Sequence, residues 1–217
     1  VNYGYTREEF DFWSHVSGRK EVAIPDGYKN IPMRAFYGCD DLEKITIPKG
    51  VTNIGEQAFY GCSSLGNVTV PEGVTNIGEQ AFYGCSSMDN ITIPEGVTSI
   101  EEETFYGCSN LSSIGIPQSV TGIGRQAFAN CSNLSSVSIP EGVTSIEFGA
   151  FMKCSNLVSF VIPNGVTEID KYTFYECSSL KYVYIPSGVV SIPGSVPSSS
   201  VSPFEGCLGG LVIYCEE

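Results

Sequence analysis

Cysteines recur at Cys39, Cys62, Cys85, Cys108, Cys131, Cys154 and Cys177, each 23 residues after the one before. Prolines keep the same step from Pro25 to Pro186, and phenylalanines keep it from Phe36 to Phe174. Equal residues at equal spacing rebuild the same local structure each time, so the chain must fold as stacked copies of one unit. A period of roughly 20–50 residues marks a solenoid, a propeller or an array. Twenty-three residues are too few for a four-stranded blade or a pair of helices.

One unit, taken from Phe82, reads Phe82, Tyr83, Gly84, Cys85, then Met88, Ile91, Thr92, Ile93, Pro94, Gly96, Val97 and Ile100. Ile91 and Ile93 alternate with Thr92, which puts two apolar side chains inward and a polar one outward on a strand. Pro94 ends that strand because it has no N–H for a ladder. Val97 and Ile100 face inward on a second extended piece. Residues 78–81 suit one helical turn and are too few for a helix, so a 3₁₀ or single α turn is expected there. A leucine-rich-repeat coil and a parallel β-helix both satisfy this pattern.

The order Leu-x-x-Ile-x-Ile-Pro-x-x-Val-x-x-Ile-Gly-x-x-Ala-Phe-x-x-Cys narrows the choice. It resembles the BspA-like leucine-rich repeats of surface proteins from bacteria and some protozoan parasites, over nearly the whole chain from Glu21. The resemblance implies a mainly β, right-handed leucine-rich-repeat solenoid, with short parallel strands on its concave face and short helical turns elsewhere. About eight repeats are expected over residues 21–217. Residues 1–20 lie outside the beat. Thr6 and Glu9 make a capping-box pattern, Phe10, Trp13 and Val16 follow at helical spacing, and Gly18 can end the helix. An N-terminal helical cap over the open end of the core is expected, because solenoid ends need covering. The step from Cys177 to Cys207 is 30, so a Ser/Pro-rich insertion occupies residues 193–203. A capping strand at residues 211–215 follows, with the acidic Glu216 and Glu217 blunting its edge.

The charge balance limits the partners. Twenty-four Asp and Glu stand against 11 Lys and Arg, a net charge of −13. Seven of those basic residues lie in the first 50 positions and none lies between Val51 and Gly124. Phosphate binding needs a concentrated basic surface, so nucleic acid is not expected as a partner. An anionic membrane surface is disfavoured for the same reason. No apolar run reaches the ~18 residues of a membrane span. Any targeting or anchoring segment is expected outside this chain, which begins with Val1.

In a solenoid every repeat position becomes a row, with neighbours ~5 Å apart. The Cys row lacks the close cysteine pairs a zinc site needs. Parallel side chains at this spacing also hold their Cβ atoms too far apart for disulfides along the row. Small, buried, reduced thiols are the reading. Cys207 and Cys215 break the period and could pair with each other. The Phe row is a packing spine. The row Tyr37, Tyr60, Tyr83, Tyr106 covers an outer edge. Glu56, Glu79 and Glu102 form a solvated acidic row. Asn67, Asn90, Asn110, Asn130 and Asn133 stand in Asn-x-Ser/Thr sequons, which matter only in a secreted eukaryotic protein.

Rows of like groups do not assemble a nucleophile, a base and an orienting partner, so no enzyme, cofactor or metal site is expected. The outward strand positions are small and polar until the C-terminal end. There Val161, Tyr182 and Tyr184 replace them, and these three are the candidate partner-binding residues. The resemblance implies a monomeric binding module of a secreted or cell-surface protein, engaging a protein or glycoprotein in adhesion or host contact. A rigid spacer that presents another domain is the alternative.

Overall fold

The computed structural model describes residues 12–13, 15–192, 202–208 and 210–216. The 23-residue units wind into a mainly β, parallel solenoid of about seven turns. Most turns give two short strands, numbered together along the chain. The first strands are β1 (Glu21–Ala23), β3 (Lys44–Thr46), β5 (Val68–Thr69), β7 (Ile91–Thr92), β9 (Ser113–Gly115), β11 (Ser136–Ser138), β13 (Ser159–Val161), β14 (Tyr182–Ile185) and β15 (Val212–Cys215). The second strands are β2 (Asn30–Ile31), β4 (Asn53–Ile54), β6 (Asn76–Ile77), β8 (Ser99–Ile100), β10 (Gly122–Ile123) and β12 (Ser145–Ile146).

The sequence period becomes the pairing register. Val22 pairs Ile45 and Ile54 pairs Ile77, each one period apart and parallel. At the last step Val183 pairs Ile213, so the longer repeat is absorbed without loss of register. Alternation does the rest. Ile45 is buried between exposed Lys44 and Thr46, and Phe160 between exposed Ser159 and Val161. The first-strand layer runs as three ladders, β1-β3, β5-β7-β9-β11 and β13-β14-β15. The gap between β11 and β13 coincides with Val137 and Ile139, which are only half-buried.

The expected helical turn at residues 78–81 is not formed. Gln80 has φ 55°, and Ala81 N–H bonds to the Gly78 carbonyl at 3.2 Å. A positive φ at the third residue makes this a type II turn. A second such turn follows, with Gly84 at φ 69° and Cys85 N–H bonded to Phe82. A left-handed residue every fourth position cannot continue a right-handed helix. In exchange, alternate N–H groups reach the next coil. Gln80, Phe82 and Gly84 donate to the carbonyls of Glu102, Thr104 and Tyr106 at 2.9, 2.9 and 2.7 Å. A helical turn would have closed those groups on itself.

The first left-handed row holds Arg34, Gln57, Gln80, Glu103, Gln126 and Tyr172, with Gly149 in the same register. Side chains longer than glycine pay ~1–2 kcal/mol for this conformation, against ~0.5–1 kcal/mol for glycine's extra freedom in the unfolded chain. Gln126→Gly is therefore expected to raise stability by ~0.5–1 kcal/mol in urea titration. A loss of stability would mean that the Gln126 side chain contributes more than its backbone costs.

At the N-terminal end the described part of the cap segment packs as a lid. Trp13 meets Phe36 edge-on at 5.6 Å and Tyr28 at 5.6 Å, and Val16 is buried. Phe12 and Trp13 have helical backbone, and no helix is found among the described residues, so the expected helical cap is not shown. Thr6, Glu9 and Phe10, which carried much of that expectation, lie outside the described residues, as does the insertion from residue 193 to residue 201. Beyond it the coil resumes, because Phe204 stacks on Phe174 at 5.5 Å.

Candidate functional site

The strand register sets out the C-terminal face. Val161, Tyr184 and Tyr214 form one row, and Ser159, Tyr182 and Val212 form its neighbour. Val161, Tyr182 and Tyr184 are 58%, 41% and 47% exposed, so the three residues named from the sequence do share one surface. Tyr184 and Tyr214 stack with centroids 4.7 Å apart and planes 11° from parallel. Tyr182 leans toward Tyr214 at 6.3 Å. A cavity of about 350 Å³ opens here, and Glu141, Val161, Asn164, Tyr184, Tyr214 and Glu216 help to line it.

Tyr214 and Val212 were missed from the sequence because the 30-residue step shifts them off the beat. Counting back from Cys215 as the equivalent of Ile185 would have found them. A larger cavity, about 730 Å³, lies at the other end of the same layer, lined by Lys44, Lys49, Asn67, Thr69 and Glu72 among others. It has no aromatic wall.

The Cys row is core. Cys62, Cys85, Cys108, Cys131, Cys154 and Cys177 are fully buried and carry free thiols. Each thiol donates to a phenylalanine carbonyl of the preceding coil, as Cys108 Sγ does to Phe82 O at 3.2 Å. A small donor is needed at that spot, which explains why the position is cysteine in every coil. Burial pushes these thiols up, Cys62 and Cys131 to about 12. That is the opposite of what a nucleophile or a metal ligand requires. Cys207 continues the row, donating to Phe174 O at 3.3 Å, while Cys215 lies exposed on β15, so these two are not joined.

Two surface ladders run beside the spine. Tyr37, Tyr60, Tyr83 and Tyr106 stack at 4.8, 4.5 and 4.6 Å. Burial and the neighbouring tyrosines push Tyr83 up to about 12. Arg34, Gln57, Gln80 and Glu103 form a chain of side-chain hydrogen bonds, each donating to the next. Within each ladder the members cover one another's rings or pair one another's polar groups. The C-terminal face differs in composition, since its exposed rings stand with the exposed valines Val161 and Val212.

Parallel coils of this length, with a buried aromatic spine and a ladder of strands, define a leucine-rich-repeat solenoid. The chain belongs to the family described as the BspA type leucine rich repeat region, whose model matches six copies over residues 11–131 and 75–202. This family and fold are typically non-enzymatic.

The crystal structure of a leucine rich cell surface protein from Faecalibacterium prausnitzii A2-165 is similar, with 28% identity and a TM-score of 0.60. The similarity covers 95% of this chain and 62% of that one. The pneumococcal vaccine antigen PcpA shares the fold at 20% identity and TM-score 0.54, over 91% of this chain and 57% of its own. The chain thus spans about three-fifths of the length of these two proteins. No curated protein matches it. Among the described residues no helix is long and apolar enough to cross a membrane.

Proposed function

We propose that this chain is a binding module of a secreted or cell-surface protein, and that it holds a protein or glycoprotein partner on its C-terminal aromatic face. One observation carries the reading. Val161, Tyr182, Tyr184, Val212 and Tyr214 make a single run of large, exposed side chains on one face, whereas the face before it is small and polar. Contiguous apolar surface on a soluble domain marks a contact site. Tyrosine gives large contact area at low entropic cost. The name of the Faecalibacterium relative as a cell surface protein supports the location. Adhesion or host contact is the role this reading favours, by a monomer, with no nucleic acid involved.

The test is saturable binding of the purified chain to extracellular-matrix proteins and mucosal glycoproteins. A Tyr182→Ala/Tyr184→Ala double variant with unchanged circular dichroism is expected to weaken that binding about thirtyfold or more, the effect of losing a binding hot spot. Binding that survives the double variant would move the site elsewhere. The small, uncharged rows Thr69, Thr92, Gly115, Ser138 and Asn67, Asn90, Ser113, Ser136 favour a second reading for the rest of the molecule, as a rigid spacer that carries this face.

A further inference from the structure

The row that ends in the aromatic face has a step in it, and the step makes a seat. Gly115 and Ser138 are short, Val161 is intermediate, and Tyr184 rises to a full ring. Tyr184 and Tyr214 stack, so one face of Tyr184 is covered. Its other face looks back along the row, over Val161 and into the cavity that both residues line. Glu141 stands at that cavity with Asn164 beside it. The Asn164 backbone and amide N–H groups reach Glu141 only at 3.4 and 3.3 Å. No ion pair is found at Glu141 among the described residues, and no lysine or arginine lines the cavity. Glu216 contributes a second carboxylate, on backbone fixed by its N–H to Ile185 O at 3.1 Å.

An aromatic face with a carboxylate at its side holds an organic cation by two attractions at once. The same chain already contains that combination. Arg125 lies 4.8 Å over the Phe148 ring while its Nε stands 3.6 Å from Glu102. Arg34 lies 5.3 Å over Tyr37. In both cases the cation comes from the chain itself. At Tyr184 the ring and the carboxylate are present and the cation is not supplied.

Resting on the reading of this face as partner-binding, we propose that the seat over Val161 takes an arginine side chain from a basic segment of the protein partner. The planar guanidinium can lie flat on the Tyr184 ring and donate in its own plane toward Glu141, which a lysine ammonium cannot do. A chain of net charge −13 also draws a basic segment toward it. Tyr182 and Val212 then cover the residues that flank the arginine.

The test is isothermal titration calorimetry of the full chain with a short Ser/Thr peptide carrying several arginines, and with its counterpart carrying neutral citrulline instead. The arginine peptide is expected to bind about tenfold tighter or more, in a salt-dependent manner. Glu141→Gln should weaken it about threefold to tenfold and flatten the salt dependence, Tyr184→Ala should weaken it about tenfold, and Tyr106→Ala on the remote tyrosine row should change nothing. Equal binding of the two peptides, or an unaffected Glu141→Gln variant, overturns the proposal. If glycoprotein binding is still lost with Tyr182→Ala/Tyr184→Ala while the arginine peptide fails to bind, only the arginine assignment falls. If neither binds, the binding face falls with it.

Discussion

Between pH 9 and pH 10 the solenoid is expected to lose about 6 kcal/mol of stability and unfold in one cooperative step. The cause is the buried thiol row. Cys62, Cys85, Cys108, Cys131, Cys154 and Cys177 all sit above the ordinary value of 9.0, because burial opposes the thiolate. In the unfolded chain the same thiols ionise at their ordinary value. Below it both states keep their protons and the row contributes nothing to the pH dependence. Above it only the unfolded state releases protons, so rising pH favours unfolding. Each such group shifts the balance by ~1 kcal/mol between pH 9 and pH 10, where ionisation starts from one half, and by ~1.4 kcal/mol per pH unit above that, and six act together. A typical domain has ~5–15 kcal/mol in total. Far-ultraviolet circular dichroism and thiolate absorbance, followed together in reductant, should change at the same pH. Thiolate absorbance that grows near pH 9 beyond what the exposed Cys215 and part-exposed Cys207 can supply, while the circular dichroism stays native, would mean that the row is accessible, and the account of it as core would fail.

Much of this row was legible in advance, and the reason is physical. Periodic residues in a stacked fold must occupy equivalent places, so Phe, Cys and the inward Ile and Val could be assigned to packing before any coordinates. The strand register followed from the period alone, as Val22 opposite Ile45 illustrates. The turns between Ile and Cys were not legible. Gln80 and Glu103 are good helix formers, and local propensity argues for a helical turn. They are left-handed instead because hydrogen bonds to the next coil outweigh that preference. One clue was in the sequence: Gly149 stands in the Gln126 position of the following repeat, and glycine is the residue that a positive φ selects. The candidate site was half legible. Tyr182 and Tyr184 announced themselves as aromatics in a polar row. Tyr214, which completes the stack, was hidden by the insertion, and Glu141 belongs to a repeat two coils earlier than Tyr184. Its nearness depends on how far the cavity extends along the axis, which spacing does not reveal.

Replacing Phe105 with alanine is expected to cost ~3–5 kcal/mol, the largest effect of any single substitution considered for this chain. Phe105 is fully buried and stacks between Phe82 at 5.7 Å and Phe128 at 5.4 Å, its plane 3° and 10° from theirs. The neighbouring rings cannot close the gap, because each is held by its own coil and the coils are spaced by backbone hydrogen bonds such as Phe105 N–H to Ala127 O at 2.9 Å. A cavity therefore remains, and its cost adds to the lost transfer energy. The position also makes the loss felt widely. A solenoid is stabilised by contacts between neighbours, so a weak central interface uncouples the two halves. Phe105→Leu should keep most of the volume and cost less than ~1.5 kcal/mol. Tyr106→Ala serves as the control. It sits one residue away on the half-buried outer ladder, 4.6 Å from Tyr83, and should cost only ~0.5–1.5 kcal/mol. Urea denaturation of the three variants decides the matter. If Phe105→Ala and Tyr106→Ala lose similar amounts, the phenylalanine spine is not what holds the coils together, and the separation of packing rows from free rows would have to be redrawn.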